Sequence, residues 1–149
     1  MNYKSPISIL LTDDDEDDRE IFTDIIHKVN GPIKLESANS GLDLLNKLSH
    51  NFNNLPDLLF LDLNMPGMDG RECLNRLKSC DTLTKLPVIM FSTSAAIEDI
   101  NFAYEKGADL YLIKPNKFSS YFKLLKDVLE MYVSKSLPVK DKKRFVYSL

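Results

Sequence analysis

Five short apolar runs recur along the chain, and each is followed by a longer segment whose apolar residues fall at helical spacing. Ile7-Ser8-Ile9-Leu10-Leu11 reads as a strand, and residues 16–30 then place Ile21, Phe22, Ile25, Ile26 and Val29 on one helical face. Acids in the first turn of that segment suit a helix amino terminus, and Gly31-Pro32 stops it. Ile33 to Ala38 alternates as a strand does, and Ser40 is a candidate cap for a helix carrying Leu42, Leu45 and Leu48. A third, almost wholly apolar strand is predicted over Asp57 to Leu63, followed by a helix over 70–79. Val88-Ile89-Met90-Phe91 predicts a fourth strand and residues 97–106 a helix, with Gly107 just past its end. Leu110-Tyr111-Leu112-Ile113 predicts the fifth strand. A last helix over 117–133 carries Phe118, Phe122, Leu125, Val128, Leu129 and Tyr132.

Strict alternation of strands and helices implies right-handed crossovers, hence parallel strands covered on both faces. The expected fold is α/β: a doubly wound, five-stranded parallel sheet with helices on both sides. The apolar third strand belongs at its centre. With 149 residues one domain is expected, over residues 1–134, followed by a tail at 135–149 with no output domain.

Composition narrows the class. A chain that is 44% apolar and 28% charged can build an ordinary core. No apolar run approaches the roughly 18 residues of a membrane span, and Met1-Asn2-Tyr3-Lys4-Ser5-Pro6 lacks the form of a secretory signal. Cys73 and Cys80 have no metal-site spacing and read as reduced thiols, so a cytoplasmic protein is expected. The net charge of −3 conceals a tail of +4 on a body of −7. An acidic body argues against nucleic-acid binding.

In a sheet of this kind, ligands bind beyond the carboxyl ends of the strands. Asp13 and Asp14 end the first strand, Asp62 the third, Ser92 the fourth and Lys114 the fifth. Four strands thus deliver polar or charged groups to one edge. A carboxylate such as Asp62 is costly at the end of a buried strand unless charge partners offset it. Asp15 and Asp17 read as cap and first-turn acids, and His27 and His50, on helical segments away from that edge, read as structural.

The pattern resembles the receiver domain of two-component response regulators over residues 6–133. The resemblance rests on Asp13-Asp14, on Asp62-Leu63-Asn64-Met65-Pro66-Gly67-Met68-Asp69-Gly70, on Ser92-Thr93 and on Gly107 to Pro115 with its Lys114-Pro115. It implies a stand-alone signalling switch rather than an enzyme acting on other substrates. Asp62 would accept a phosphoryl group from a histidine kinase or a histidine phosphotransfer protein. Mg²⁺ would be held by Asp14, Asp62 and the Asn64 backbone carbonyl, with Asp13 acting mainly through a bound water. Lys114 would supply a fixed positive charge. Ser92 would turn toward the phosphoryl group and let Tyr111 rotate inward, switching contacts with a downstream protein target; Thr93 is the rival hydroxyl. A softer likeness links the stretch from Thr93 to Tyr104 to receivers paired with phytochrome-type histidine kinases.

Rival readings fit less well. A haloacid-dehalogenase-type hydrolase wants a second acid where Asn64 stands, and a flavodoxin-like carrier wants a phosphate loop where the acids stand. A receiver used only for interaction would not need the intact acids and lysine. The tail, with Phe145, Val146, Tyr147 and Leu149 among basic residues, reads either as a frayed terminus or as a docking segment that could form a homodimer.

Overall fold

A computed structural model describes residues 6–149; Met1–Ser5, read above for signal-peptide form, lie outside the described residues. The elements are β1 (Ile7–Thr12), α1 (Glu16–Ile26), β2 (Ile33–Ala38), α2 (Gly41–Ser49), β3 (Leu58–Leu61) and α3 (Gly70–Ser79). They continue with β4 (Val88–Ser92), α4 (Ile97–Glu105), β5 (Leu110–Ile113), α5 (Phe118–Val133), α6 (Lys142–Phe145) and β6 (Val146–Tyr147). The strands form one parallel sheet in the order β2-β1-β3-β4-β5-β6. The doubly wound α/β architecture is as expected, with β3 central and every residue of it buried.

Alternation along the strands sorts the core into two layers. Ile9, Leu11, Phe60, Phe91 and Leu112 face α1 and α5, meeting Phe22, Ile25, Leu125 and Leu129. Leu10, Leu59, Leu61, Met90 and Tyr111 face the other way, meeting Leu44 and Leu48 of α2, Cys73, Leu74 and Leu77 of α3 and Ile100 of α4. Phe22, Phe60, Phe91 and Tyr121 pack edge-to-face in the first layer, with centroids 5.0–6.5 Å apart. That geometry suits the ring quadrupoles and adds to plain burial.

The local signals mostly act where the pattern put them. Asp15 and Ser40 cap α1 and α2 through side-chain bonds to the N–H groups of Asp18 and Asp43. Gly107 takes a positive φ of 91° just past α4, the left-handed conformation that ends helices. Four expectations need correction. The first helix stops at Ile26, because Lys28 and Val29 donate to the carbonyls of Ile25 and Ile26 in tighter turns. The third strand spans Leu58–Leu61 and is shorter than Asp57 to Leu63; at its start the Asp57 carboxylate takes the Ser8 N–H at 2.8 Å. Ile21, Leu42 and Phe118, expected on buried faces, are exposed because their helices bury a narrower stripe than periodicity suggests.

The fourth correction is the strand count. The sheet has six strands rather than five, because the tail turns back and pairs Val146 and Tyr147 with Tyr111 and Leu112 along the free edge of β5. An unpaired edge exposes a row of backbone donors and acceptors, and the tail covers it. Phe145, just before that strand, is completely buried against Tyr104 and Tyr111. Tyr104 Oη donates to the Lys140 carbonyl, and Tyr147 Oη to the Asp127 carboxylate. The described tail is thus packed onto its own domain, with Leu149 still exposed.

Candidate functional site

Parallel strands end together, so the polar residues one step past β1, β3 and β5, and Ser92 at the end of β4, gather at one edge. Asp13 and Asp62 are almost buried there, while Asp14 is exposed. One oxygen from each of Asp13, Asp14 and Asp62 lies within 4.8 Å of the others. The close approach is built into the backbone. Asp62 N–H donates to the Thr12 carbonyl at 2.9 Å, and the Gly70 N–H to the Leu63 carbonyl at 2.8 Å. A Cβ at Gly70 would stand 2.3 Å from the Asp62 carbonyl oxygen, so only glycine lets α3 begin against the Asp62 backbone.

Lys114 reaches across the acids. Its Nζ lies 2.8 Å from Asp13 Oδ2, 3.1 Å from Asp18 Oδ2 and 3.8 Å from Asp62 Oδ1, and sits over the Phe91 ring. Burial draws the lysine's pKa down, but its bond to Asp13 and the fields of Asp62, Asp13 and Asp18 outweigh that and leave it raised. The Asp62 carboxyl moves the other way from an ordinary acid. Burial pushes it up, Lys114 pulls it back, and Asp13 and Asp14 push again, leaving it at about 7. Both oxygens of Asp13 are engaged, Oδ2 by Lys114 and Oδ1 by the Asp15 N–H at 3.0 Å.

Ser92 is buried at the end of β4, where its Oγ accepts the Ser94 N–H at 3.1 Å. Thr93, its rival, is exposed. Tyr111 is fully buried and turned inward, its Oη donating to the Ser94 carbonyl at 2.9 Å. Asn64 stands exposed in the turn after Asp62. His27 and His50 are exposed residues at the ends of α1 and α2, away from this edge. Asp18 was missed: it lies in the first turn of α1, where an acid reads as a dipole partner, and nothing in its spacing signals the bond to Lys114. The bond joining Tyr111 to Ser94 also had no sequence signal.

Three carboxylates so placed are an all-oxygen donor set, the kind that suits a hard divalent cation rather than a thiophilic one. Each of the three offers an oxygen to such a cation, and at Asp13 the cation would share oxygens that already accept from Lys114 and the Asp15 N–H. Among the described residues no helix is long and apolar enough to cross a membrane.

Several known proteins are similar to this chain in sequence or fold. FilR2 of Methanothrix harundinacea, a probable methanogenesis regulatory protein, is 27% identical over 136 residues, covering 89% of this chain and 88% of FilR2. Response regulator Rcp1 of Synechocystis matches at 36% over 73 residues, about half of each chain. The Mn²⁺-bound structure of Rcp1 superposes with a TM-score of 0.76 at 28% identity, covering 85% of this chain and 94% of that one. The phosphorylated cyanobacterial phytochrome response regulator RcpA superposes with a TM-score of 0.80 at 30% identity, covering 90% of this chain and 99% of RcpA. The response regulator receiver domain model matches residues 9–126, which hold all of the acids, the buried serine and the lysine of the strand edge, and the chain belongs to that family.

Proposed function

We propose that Asp62 accepts a phosphoryl group from a phosphohistidine on a histidine kinase or phosphotransfer protein, and that the resulting acyl phosphate switches contacts with a downstream protein. The observation that carries this reading is Lys114 Nζ lying 3.8 Å from Asp62 Oδ1 while also anchored on Asp13 and Asp18. In the transfer, an Asp62 oxygen bonds to phosphorus as the phosphorus–nitrogen bond breaks, and the imidazole leaves with the electron pair. An anionic nucleophile meets an anionic group, so positioned positive charge is the main requirement. Lys114 supplies part of it to the phosphoryl oxygens. Mg²⁺, held by Asp14, Asp62 and the Asn64 carbonyl with Asp13 acting through water, would neutralise the rest.

The added charge of close to −2 would be offered to Ser92 on the neighbouring strand end, whose Oγ accepts the Ser94 N–H. Ser92 and Tyr111 meet at Ser94, so a move at one is felt at the other. The protein is a cytoplasmic switch in this reading, turning over only its own aspartyl phosphate. The experiment is incubation with acetyl phosphate and Mg²⁺, read by intact mass. One phosphoryl group should be gained and released by hydroxylamine, and Asp62→Asn should gain none. Equal labelling of Asp62→Asn would overturn the assignment.

A further inference from the structure

Outside the acidic cluster, α3 and α4 are joined by one ion pair. Arg71, the second residue of α3, pairs with Asp99 in the first turn of α4. Asp99 is only 8% exposed, and a carboxylate so placed needs a partner. Its other oxygen accepts the Ser94 hydroxyl at 2.5 Å, and Ser94 Oγ in turn accepts the Ala96 N–H at 3.2 Å. Ala96 stands at the cap position of α4 and offers no side-chain bond. Ser94 and Asp99 therefore organise the start of that helix.

The main chain of Ser94 faces the opposite way. Its N–H holds Ser92 Oγ, and its carbonyl holds Tyr111 Oη. One residue thus touches the buried hydroxyl, the inward aromatic and, through Asp99, the guanidinium on α3. Among the described residues Arg71 pairs with no carboxylate of the strand edge. It stacks toward the Phe102 ring instead, 6.0 Å away.

We propose that Arg71 is a positioning residue which, through Asp99 and Ser94, holds the β4–α4 loop so that Ser92 and Tyr111 respond together to phosphorylation of Asp62. The inference rests on the phosphoacceptor reading. Without the guanidinium, Asp99 relieves its uncompensated charge by turning to water and takes the Ser94 hydroxyl with it. The Ser94 backbone then no longer fixes either group. Ser92 becomes a poorer donor to the phosphoryl oxygens, and water reaches the acyl phosphate more easily. In that hydrolysis the water oxygen bonds to phosphorus and the bond to Asp62 breaks. The electron pair stays on the carboxylate, and the water proton goes to the phosphate or to solvent.

The test compares wild type with Arg71→Gln, Arg71→Lys and Ser94→Ala, each labelled with acetyl phosphate and Mg²⁺. Two quantities are read: acyl-phosphate lifetime by intact mass, and the Tyr111 resonance in fluorotyrosine-labelled protein, assigned with Tyr111→Phe. Arg71→Gln and Ser94→Ala should still be labelled at Asp62, with lifetimes shorter by roughly 3- to 10-fold, the worth of one hydrogen bond. Their Tyr111 resonance should lose its shift on phosphorylation. Arg71→Lys keeps the charge and should recover most of both readouts, which a mere loss of stability would not predict. Wild-type lifetimes and an intact Tyr111 shift in Arg71→Gln and Ser94→Ala would overturn the positioning role alone. Failure to label wild type, or labelling that survives Asp62→Asn, would instead overturn the phosphoacceptor reading and this inference with it.

Discussion

The carboxyl edge of the sheet and the outer edge of β5 are held together by opposite means. At the first, Asp13, Asp14 and Asp62 are packed against one another with Lys114 threaded among them. The Asp62 carboxyl is displaced to about 7, with its own burial the largest cause. At the second, Phe145 is completely buried and β6 satisfies the backbone of β5. One region gathers charge at an energetic cost that chemistry can use, and the other gathers apolar surface whose burial stabilises. The lesson is one of sign: deleting the buried ring should weaken the tail edge, whereas neutralising the buried Asp62 should strengthen the acidic edge.

The largest expected effect is at the tail. Phe145→Ala should destabilise the fold by about 3–5 kcal/mol, the usual cost of removing a fully buried aromatic ring. It should also expose the edge of β5. Denaturant unfolding measures the first and hydrogen exchange of the β5 amides the second. A loss below about 1 kcal/mol, with β5 protection unchanged, would mean that the tail only rests on the domain, and the contrast would collapse.

Next comes Asp62→Asn, with the opposite sign. A carboxyl whose folded pKa lies above its unfolded value binds its proton more tightly in the folded state. Its ionisation therefore erodes stability as pH rises from about 4 to about 7, and the penalty is complete above that. In chelator at pH 8, Asp62→Asn should be more stable than wild type by on the order of 1–3 kcal/mol. The gain should shrink steadily as pH falls from 7 toward 5. Equal stabilities across that range, measured by urea unfolding, would show that Lys114 already compensates the acids in full.

The smallest effect sharpens the tail side. Tyr147→Phe removes a hydroxyl that donates to Asp127, a carboxylate also held by Lys123 at 2.9 Å. Asp127 is partly buried, and burial's upward push on its carboxyl is outweighed by Lys123 and Tyr147, which leave it lowered. The substitution should cost no more than about 1 kcal/mol, several-fold less than Phe145→Ala. A larger loss would shift the weight of tail docking from the buried ring to the polar contact.

The two edges also differ in how well they could be read from the chain. The acidic edge was legible because a parallel sheet turns a one-dimensional rule into a site: whatever follows each apolar run arrives at the same place. Asp13, Asp62, Ser92 and Lys114 each stand just past such a run. Asp18 escaped because an acid in a first helical turn already has a local explanation. The contacts that link Arg71, Asp99 and Ser94 escaped because they join separate elements, and no spacing encodes a meeting of α3 with α4. The sixth strand escaped for a different reason. Val146-Tyr147 is too short to show a period, and the surrounding lysines make the segment look like solvent-facing tail. Its pairing is decided by the vacant edge of β5, a tertiary property.

The most direct measurement of the central claim is to treat the protein with acetyl phosphate and Mg²⁺, reduce the product with borohydride and sequence its peptides by mass spectrometry. Reduction converts an acylated carboxyl to an alcohol, so the modified position is read at single-residue resolution. The account predicts that conversion at position 62 alone, dependent on the divalent cation and absent from untreated protein. Conversion at Asp13 or Asp14 with position 62 untouched, or none at all under conditions that phosphorylate an authentic receiver domain, would contradict it.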